Sequence, residues 1–162
     1  MPILSNLDDA QHARIIRFAP LVAVDLIIRD PLGKVLVGLR ANEPAKDFYF
    51  VPGGRIRKGE KLSDAFERIL RSETGLDASF HKTSFMGVYE HFYTTNRYDD
   101  PDYGTHYVVL AYSLSLSQSP PIVLDSQHTA DEWMDADTLR SDPRVHDYTK
   151  AYFDKPRQSG RK

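Results

Sequence analysis

GGRIRKGEKLSDAFERILRSETGL, residues 53 to 76, leads from a pair of glycines into a segment with helical periodicity. Its apolar residues recur at the spacing of a helix face that packs on a core, and they are Leu62, Ala65, Phe66, Ile69 and Leu70. At about 100° per residue, Glu73 lies on the same face, within about 20° of Leu62. A carboxylate that faces an interior costs on the order of several kcal/mol unless a cation or hydrogen-bond donors pair with it. Glu73 therefore either has such a partner or bends out to solvent just before the predicted C-cap, Gly75.

The composition indicates a globular protein without an obvious polyanionic partner. The 162 residues are 41% hydrophobic and 27% charged, which predicts one domain over residues 1–162. The net charge of −2 gives no electrostatic case for a nucleic-acid or membrane partner. The absence of cysteine excludes disulfides, thiolate zinc sites and cysteine nucleophiles. The sequence shows neither a signal-peptide pattern nor an apolar run of about 18 residues, so we expect a cytoplasmic protein.

The segments on both sides of the helix predict an α+β domain built on a mixed sheet. Strands are predicted in LVAVDLIIRDPLGKVLVGLR, which reads as a hairpin, and in FYFVP, TSFMGVYEHFY, THYVVLAYSLSL and EWMD. The polar stretch TTNRYDDPDYG joins the third and fourth of these stretches as a long loop. Helices are predicted at the N-terminus (1–19), in DADTLRSDP and, longer, in RVHDYTKAYFD. The polar tail 154–162 is expected to fray.

The glycine junction exposes backbone groups where no Cβ obstructs a ligand, and the spacing after it is informative. Gly54, five residues, Glu60, seven residues, Arg68, and then Glu73, Gly75 and Leu76 follow the register G-x5-E-x7-R-E-U-x-E-E-x-G-U. This segment resembles the Nudix box. The resemblance implies a Nudix-like α/β/α sandwich with a central mixed sheet, in which 53–76 forms the loop and helix of the box.

The segment departs from the box at two positions where the family places glutamates. These positions hold Ile69 and Ser72, so that Glu73 alone remains of the carboxylates that bind divalent metals in the family. A single carboxylate can still hold one Mg²⁺, which commonly takes one or two carboxylates together with substrate phosphates. The departure indicates either a decayed site or a chemistry other than attack at phosphorus.

One branch of the Nudix family shares this loss, and residues 20 to 153 are similar to it. FYFVPGGR, GVYEHFY, THYVVLAYSLSL and DSQHTADEWM resemble the GDP-mannose mannosyl hydrolases. The resemblance implies one Mg²⁺ held by the Glu73 carboxylate, the Gly53 carbonyl and the Gln127 side chain, together with the diphosphate of a nucleotide sugar. It implies His128 as the general base, although a histidine in a polar loop is most often a solvated surface residue. The implied reaction is attack of water on the anomeric carbon with inversion, which releases GDP and free mannose.

The leaving group and the sugar have further candidate residues. A departing diphosphate can be stabilised by magnesium and arginines, and the resemblance assigns this role to Arg40, Arg55 and Tyr107. Arg68 is expected to brace the loop as a partner of Glu60, with direct phosphate contact as the second possibility.

The resemblance assigns Asp25 and His91 to the sugar. Asp25 interrupts an otherwise apolar strand, and an ion pair with Arg40 on the next strand would explain it structurally. Arg40 could also be a surface cation at a strand end, and Tyr107 could belong to the core.

Two other functions stay open at this stage. An ordinary Nudix pyrophosphohydrolase would cut the diphosphate, and a non-catalytic module would only bind the nucleotide sugar. The resemblance also implies a homodimer. The preference for GDP-mannose over GDP-glucose or another nucleotide sugar rests on the resemblance alone.

Overall fold

The computed structural model describes residues 7–123 and 128–154. The strands in these ranges are β1 (Leu21–Arg29), β2 (Val35–Arg40), β3 (Tyr49–Phe50), β4 (Gly53–Arg55), β5 (Thr83–Tyr93), β6 (Thr105–Ser115) and β7 (His128–Met134). The helices are α1 (Asp9–Phe18), α2 (Leu62–Thr74), α3 (Ala136–Ser141) and α4 (Asp147–Lys150), with single 3₁₀ turns at Phe80–Lys82 and Ala151–Phe153. Within the described ranges, no helix has the length and apolar character needed to cross a membrane.

The seven strands form one mixed sheet. Five of them run in the order β3, β2, β1, β6, β5, while β4 pairs with β1 and β7 pairs with β2. β1 and β6 are parallel along their whole length, and every other pair is antiparallel. The predicted mixed sheet is therefore confirmed.

Strand β1 is buried on both faces of the sheet, which explains its nearly continuous apolar sequence. Val24, Leu26 and Ile28 pack in one core cluster with Phe66 and Leu70 of α2. Ile27 packs on the opposite face with residues that follow β7, namely Leu139, Tyr152 and Phe153. Helices thus cover both faces, as the predicted α/β/α arrangement requires.

Helix α2 carries the apolar stripe expected of it. Ala65, Phe66, Ile69 and Leu70 are buried, and Gly75 ends the helix in the left-handed conformation with φ 71°. A glycine adopts this conformation without steric cost, so the predicted C-cap is confirmed. This stripe packs on β1, and the packing determines where the last turn of α2, which carries Glu73, meets the sheet.

The predicted hairpin forms its turn, but its strands diverge. The carboxylate of Asp30 accepts hydrogen bonds from the backbone N–H groups of Leu32 (2.9 Å) and Lys34 (2.8 Å). Beyond the turn, only Arg29 and Val35 pair between β1 and β2. The edges of the two strands are occupied by β4 and β7 instead, so the hairpin prediction was right at the turn and wrong along the strands.

Three other elements differ from the sequence prediction. The glycine junction, expected as a loop, forms the short strand β4, because β1 offers it an unpaired edge. The last strand is longer than EWMD and begins at His128.

The helix in RVHDYTKAYFD was predicted to be the longer of the last two, which is wrong: α4 has four residues, Asp147–Lys150, against six in α3. It begins only at Asp147 because the residues before it bind to the Tyr49 backbone, and a 3₁₀ turn follows it. The N-terminal helix covers Asp9–Phe18 of the predicted 1–19, and the predicted frayed tail lies, from residue 155 on, outside the described residues.

Candidate active site

A cavity of about 440 Å³ opens between α1, the inner strands and α2. Eight of the ten residues singled out in the sequence line it, namely Asp25, Arg40, Gly53, Arg55, Arg68, Glu73, His91 and Tyr107. His128 lies behind this wall, next to Glu73, and Gln127 lies outside the described residues. One cavity therefore gathers side chains that are separated by more than eighty residues in the chain.

Glu73 is held inside the protein and does not bend out to solvent. Only 6% of the residue is exposed, and its Oε2 lies 3.8 Å from Nδ1 of His128. The solvent-facing alternative is therefore wrong. Among the described residues, no group of three histidine, aspartate or glutamate side chains could hold a metal ion. As far as the described residues go, a metal at Glu73 would complete its ligands with backbone oxygens, water or a substrate.

The backbone at Gly53 offers one such oxygen. Leu26 donates its N–H to Pro52, and Ile56 donates its N–H to Val22, so the ladder between β4 and β1 uses the residues on both sides of the glycine pair. Because hydrogen-bonding direction alternates along an antiparallel strand, the Gly53 carbonyl points away from β1. Gly53 and Glu73 both line the cavity, and a carbonyl oxygen and a carboxylate are ligands that suit Mg²⁺, so these groups fit the ion that the resemblance implies.

Gly53 also has a steric role. A Cβ at this position would overlap Oδ1 of Asp25 and would lie 2.9 Å from the carbonyl oxygen of Val24. Glycine is therefore the residue that lets β4 approach β1 this closely, which is the requirement expected of a glycine in a strand.

His128 is a buried strand residue, contrary to its prediction as part of a polar loop. It is 9% exposed and opens β7 opposite Arg40, where the pairing with β2 is irregular. Its imidazole packs against Gly38, where a Cβ would come within 2.5 Å of the ring carbon Cδ2. Gly38 was missed in the sequence, although a lone glycine inside the apolar strand VLVGLR is a signal of close approach.

Arg68 is tied to Glu60 by two hydrogen bonds. Its Nε donates to Oε1 at 2.6 Å and its Nη2 donates to Oε2 at 2.8 Å. The same Nη2 donates to the backbone carbonyl of Arg55 at 3.0 Å, and Glu60 accepts from the N–H of Arg57 at 2.9 Å. The predicted bracing pair is thus present, and it fixes the loop from which Arg55 enters the cavity.

The cavity has a strongly cationic side. Burial, together with the charges of Arg57 and Arg68, lowers the pKa of Arg55. Arg97 lines the same side and comes from the loop between β5 and β6. No pattern in the sequence singled out Arg97 beyond its position in a polar loop. Such an arrangement of guanidinium groups suits a polyanion such as a diphosphate.

The opposite side holds a buried carboxyl network. Burial raises the pKa of Asp25 to about 7, opposed by a hydrogen bond from the Tyr152 hydroxyl at 2.5 Å and by the charge of Arg40. Tyr152 also lies 3.3 Å from Nε2 of His91. Burial lowers the pKa of His91 to about 4, so its imidazole is neutral at neutral pH. Tyr152 was missed because it is 127 residues from Asp25 in the chain.

Asp25 and Arg40 approach each other without the direct ion pair that the sequence suggested. Among the described residues, Asp25 has Tyr152 as its hydrogen-bond partner, and Nε of Arg40 donates to the Pro44 carbonyl at 2.9 Å. The guanidinium of Arg40 nevertheless helps to keep the pKa of Asp25 from rising further. Tyr107 lies between the two sides, where burial raises its pKa and keeps its hydroxyl protonated.

Comparisons with known proteins give a consistent family. A family model described as a NUDIX domain matches residues 19–154. The low-salt glycan biosynthesis protein Agl8 of Haloferax volcanii is 38% identical over 125 residues, which is 77% of each chain. The crystal structure of a MutT protein from Methanosarcina mazei Go1 superposes with a TM-score of 0.68 at 16% identity, covering 83% of this chain and 91% of that one.

A second solved structure contains a ligand. The NUDIX domain of Shewanella oneidensis NrtR, complexed with ADP ribose, superposes with a TM-score of 0.63 at 16% identity, over 90% of this chain and 95% of that one. At this identity the two structures share a fold.

Proposed function

The chain belongs to the NUDIX family of hydrolases, and we propose that it hydrolyses a GDP-hexose, GDP-mannose in particular, by attack of water on the anomeric carbon of the sugar. The observation that carries this proposal is the single carboxylate at the end of α2. Of the positions at which the box places metal-binding glutamates, Ile69 is 1% exposed in the core, and the Ser72 hydroxyl donates to the Ile69 carbonyl. Of these box positions, Glu73 alone brings a carboxylate to the cavity wall.

One Mg²⁺ would be held by Glu73 and the Gly53 carbonyl, with Gln127 as a further proposed ligand. Bound there, it would neutralise charge on the diphosphate as this group departs. Since attack at phosphorus in this family relies on several carboxylates, a site with one favours attack at carbon. The family's use of a divalent metal is general, and Mg²⁺ is the ion we propose.

The protein's own residues would carry the remaining steps. Water gives a proton to His128 and its oxygen forms a bond to the anomeric carbon, while the bond from that carbon to the diphosphate oxygen breaks. The electron pair leaves with GDP, where Arg40, Arg55 and the Tyr107 hydroxyl meet the charge. Ordinary inverting glycosidases need a carboxylic acid to protonate the leaving group. A diphosphate, already a stable anion, requires no such acid.

The sugar would lie at the carboxyl network. Asp25 and His91 present polar groups to the cavity, and the Asp25–Tyr152 hydrogen bond keeps this wall rigid. Arg68 would act mainly through the loop that it braces. The relation to a glycan biosynthesis protein agrees with a nucleotide-sugar substrate.

We propose further that the protein is a homodimer of the cytoplasm. The edge strand β5 exposes Phe85, Val88 and Phe92, each more than half accessible, on one face. A second copy of the chain would cover this apolar face of β5. Light scattering during gel filtration measures the mass directly, and a monomer at micromolar concentration would refute the dimer.

The position of bond cleavage tests the proposed reaction. We expect hydrolysis of GDP-mannose in ¹⁸O-labelled water to place the label on mannose, initially as the inverted anomer, and to require Mg²⁺. Label on phosphate, or GMP and mannose 1-phosphate as products, would make the protein a pyrophosphohydrolase. Absence of turnover for a panel of GDP, ADP and UDP sugars, together with tight binding of one of them, would make it a binding module.

A further inference from the structure

Helix α1 forms part of the cavity wall through His12 and Ile16, of which His12 is the polar residue. Its Nδ1 lies 2.8 Å from the hydroxyl of Tyr98, which belongs to the loop between β5 and β6. The same hydroxyl donates to Oδ1 of Asp9 at 3.3 Å. These contacts join the helix to the loop at the cationic side of the cavity.

The loop is held in shape by its own hydrogen bonds. The amide nitrogen of Asn96 donates to the carbonyls of Asp100 and Tyr103, both at 2.7 Å, and Asn96 is fully buried. Arg17 of α1 lies 5.5 Å from the ring centre of Tyr103. The position of Tyr98 against His12 is therefore fixed from both sides.

The second ring nitrogen of His12 has a different environment. Nε2 is buried and has no hydrogen-bond partner among the described residues. Burial, Arg55 and Arg97 together lower the pKa of His12, against the opposing effect of Asp9, so the ring is neutral near pH 7. His12 lines the cavity, and a buried polar atom without a partner at such a place indicates that a ligand group supplies one when the site is filled.

The chain of contacts determines which kind of partner Nε2 needs. An ionised Asp9 only accepts hydrogen bonds, so the hydroxyl hydrogen of Tyr98 is directed to it. The Tyr98 oxygen then accepts from Nδ1–H of His12. Because a neutral imidazole carries one ring proton, Nε2 is a hydrogen-bond acceptor. The ligand group opposite it must be a donor.

The two sides of the cavity have different neighbours. The cationic charges that shift the pKa of His12 are those of Arg55 and Arg97, whereas the cationic charge that shifts the pKa of Asp25 is that of Arg40. The charges of Arg40, Asp25, Arg55 and Arg97 all act on the pKa of Tyr107, so Tyr107 lies between the two sides. If the diphosphate lies at the centre and the hexose at Asp25, the nucleoside extends towards His12.

We propose that His12 and Arg97 form the nucleobase subsite, in which Nε2 of His12 accepts a hydrogen bond from an N–H group of the base. The proposal rests on the proposed function, which assigns the cavity to a nucleotide sugar. Guanine has a ring N–H and an amino group as donors, and its O6 and N7 are acceptors that an arginine can contact. Tyr98 and Asp9 are positioning residues, because they determine which nitrogen of His12 carries the proton.

Calorimetric titration in the presence of Mg²⁺ separates the base from the phosphates. GDP and inorganic pyrophosphate are the two probes, and His12→Ala and Tyr98→Phe are the variants. We expect both variants to bind GDP about tenfold more weakly, as for loss of one buried hydrogen bond, and to bind pyrophosphate as the wild type does. Equal weakening for both probes, or unchanged GDP binding in His12→Ala, would overturn the proposal.

His106 provides a matched control. Its Nε2 is likewise buried without a partner among the described residues, but its ring stacks on Phe92 at 4.3 Å and does not line the cavity. His106→Ala should leave binding of both probes unchanged. A loss of GDP binding in His106→Ala as large as that in His12→Ala would show an effect on folding and overturn the assignment.

Two further results separate the subsite from the proposed function. In the wild type, ¹⁵N NMR should find the proton of His12 on Nδ1, and a proton on Nε2 would refute the acceptor role. A wild-type protein that binds GDP, ADP and UDP no more tightly than pyrophosphate would refute the nucleotide-sugar function itself. Tight GDP binding that is equal in wild type and His12→Ala would refute only the subsite.

Discussion

Replacing Gly38 with alanine tests whether the imidazole of His128 must lie where the fold holds it. The new Cβ would lie 2.5 Å from Cδ2 of His128 and 2.9 Å from Cγ. An ordinary contact begins at 3.4 Å, so the ring must retreat by nearly 1 Å, 3.4 minus 2.5. The backbone of Gly38 is not in the left-handed region, and alanine fits its φ without strain. The change therefore acts on the position of the imidazole.

Displacement of a catalytic group by about 1 Å can cost roughly 10²-fold in rate. We therefore expect Gly38→Ala to lower kcat for GDP-mannose hydrolysis by about 10²-fold at saturating Mg²⁺. The fold should persist, which thermal unfolding followed by circular dichroism would measure. Substrate KM should change little, because Gly38 does not line the cavity.

A double-mutant cycle identifies the residue through which the substitution acts. Loss of a general base costs about 10²–10⁴-fold, so His128→Gln alone should be strongly impaired. In that background the alanine at position 38 should have almost no further effect, because no base is left to displace. A Gly38→Ala enzyme within threefold of wild type, or an equal loss in both backgrounds, would refute the assigned role of His128.

Two further predictions concern the metal and the pH dependence of stability. Glu73→Gln should raise the Mg²⁺ concentration for half-maximal rate by at least about tenfold, with partial rescue at high Mg²⁺, while Asp64→Asn on the exposed face of α2 should not; an unchanged Mg²⁺ requirement would contradict the metal site. The pKa of His91 is about 4 when folded and 6.5 in the reference state, so the unfolded chain takes up a proton that the folded protein refuses. The contribution of His91 to stability is then full above pH 6.5 and falls by up to about 3 kcal/mol as the pH drops towards 4, at about 1.36 kcal/mol per unit. The raised pKa of Asp25, about 7, contributes in the opposite direction over the same range but is present in both proteins, so the difference between the urea-unfolding profiles of wild type and His91→Gln should show the loss that is due to His91; parallel pH profiles would contradict it.

The segment 53–76 could be interpreted from the sequence because its signals are local. Helical periodicity predicted which residues of α2 are buried, and the glycine after it predicted the cap. The exceptional burial of Glu73 followed from the same periodicity, together with the resemblance to a metal-binding motif. Each of these features depends on residues within a few turns of one helix.

Features that depend on distant residues could not be predicted in this way. Gly53, Gly54 and Arg55 have no strand preference, and they form β4 because the edge of β1 accepts their hydrogen bonds. The contact of Tyr152 with Asp25 depends on how the last helices pack across the sheet. His12 was not singled out at all, since only the fold brings α1 to the cavity.

The two positions that lack box glutamates differ in a way that bears on the chemistry. Ile69 is built into the core beneath the site, where its Cγ1 would lie 3.2 Å from a Cβ placed on Gly54. A glutamate there would lose apolar packing and bury a charge, a cost of several kcal/mol by order of magnitude. Ser72, in contrast, lines the cavity, where a longer carboxylate side chain has room. Packing therefore excludes a carboxylate at position 69, whereas position 72 lacks one without being closed to it by packing. A single added carboxylate at position 72 would leave position 69 apolar, so the packing of Ile69 favours a reaction that depends on the one metal carboxylate at Glu73.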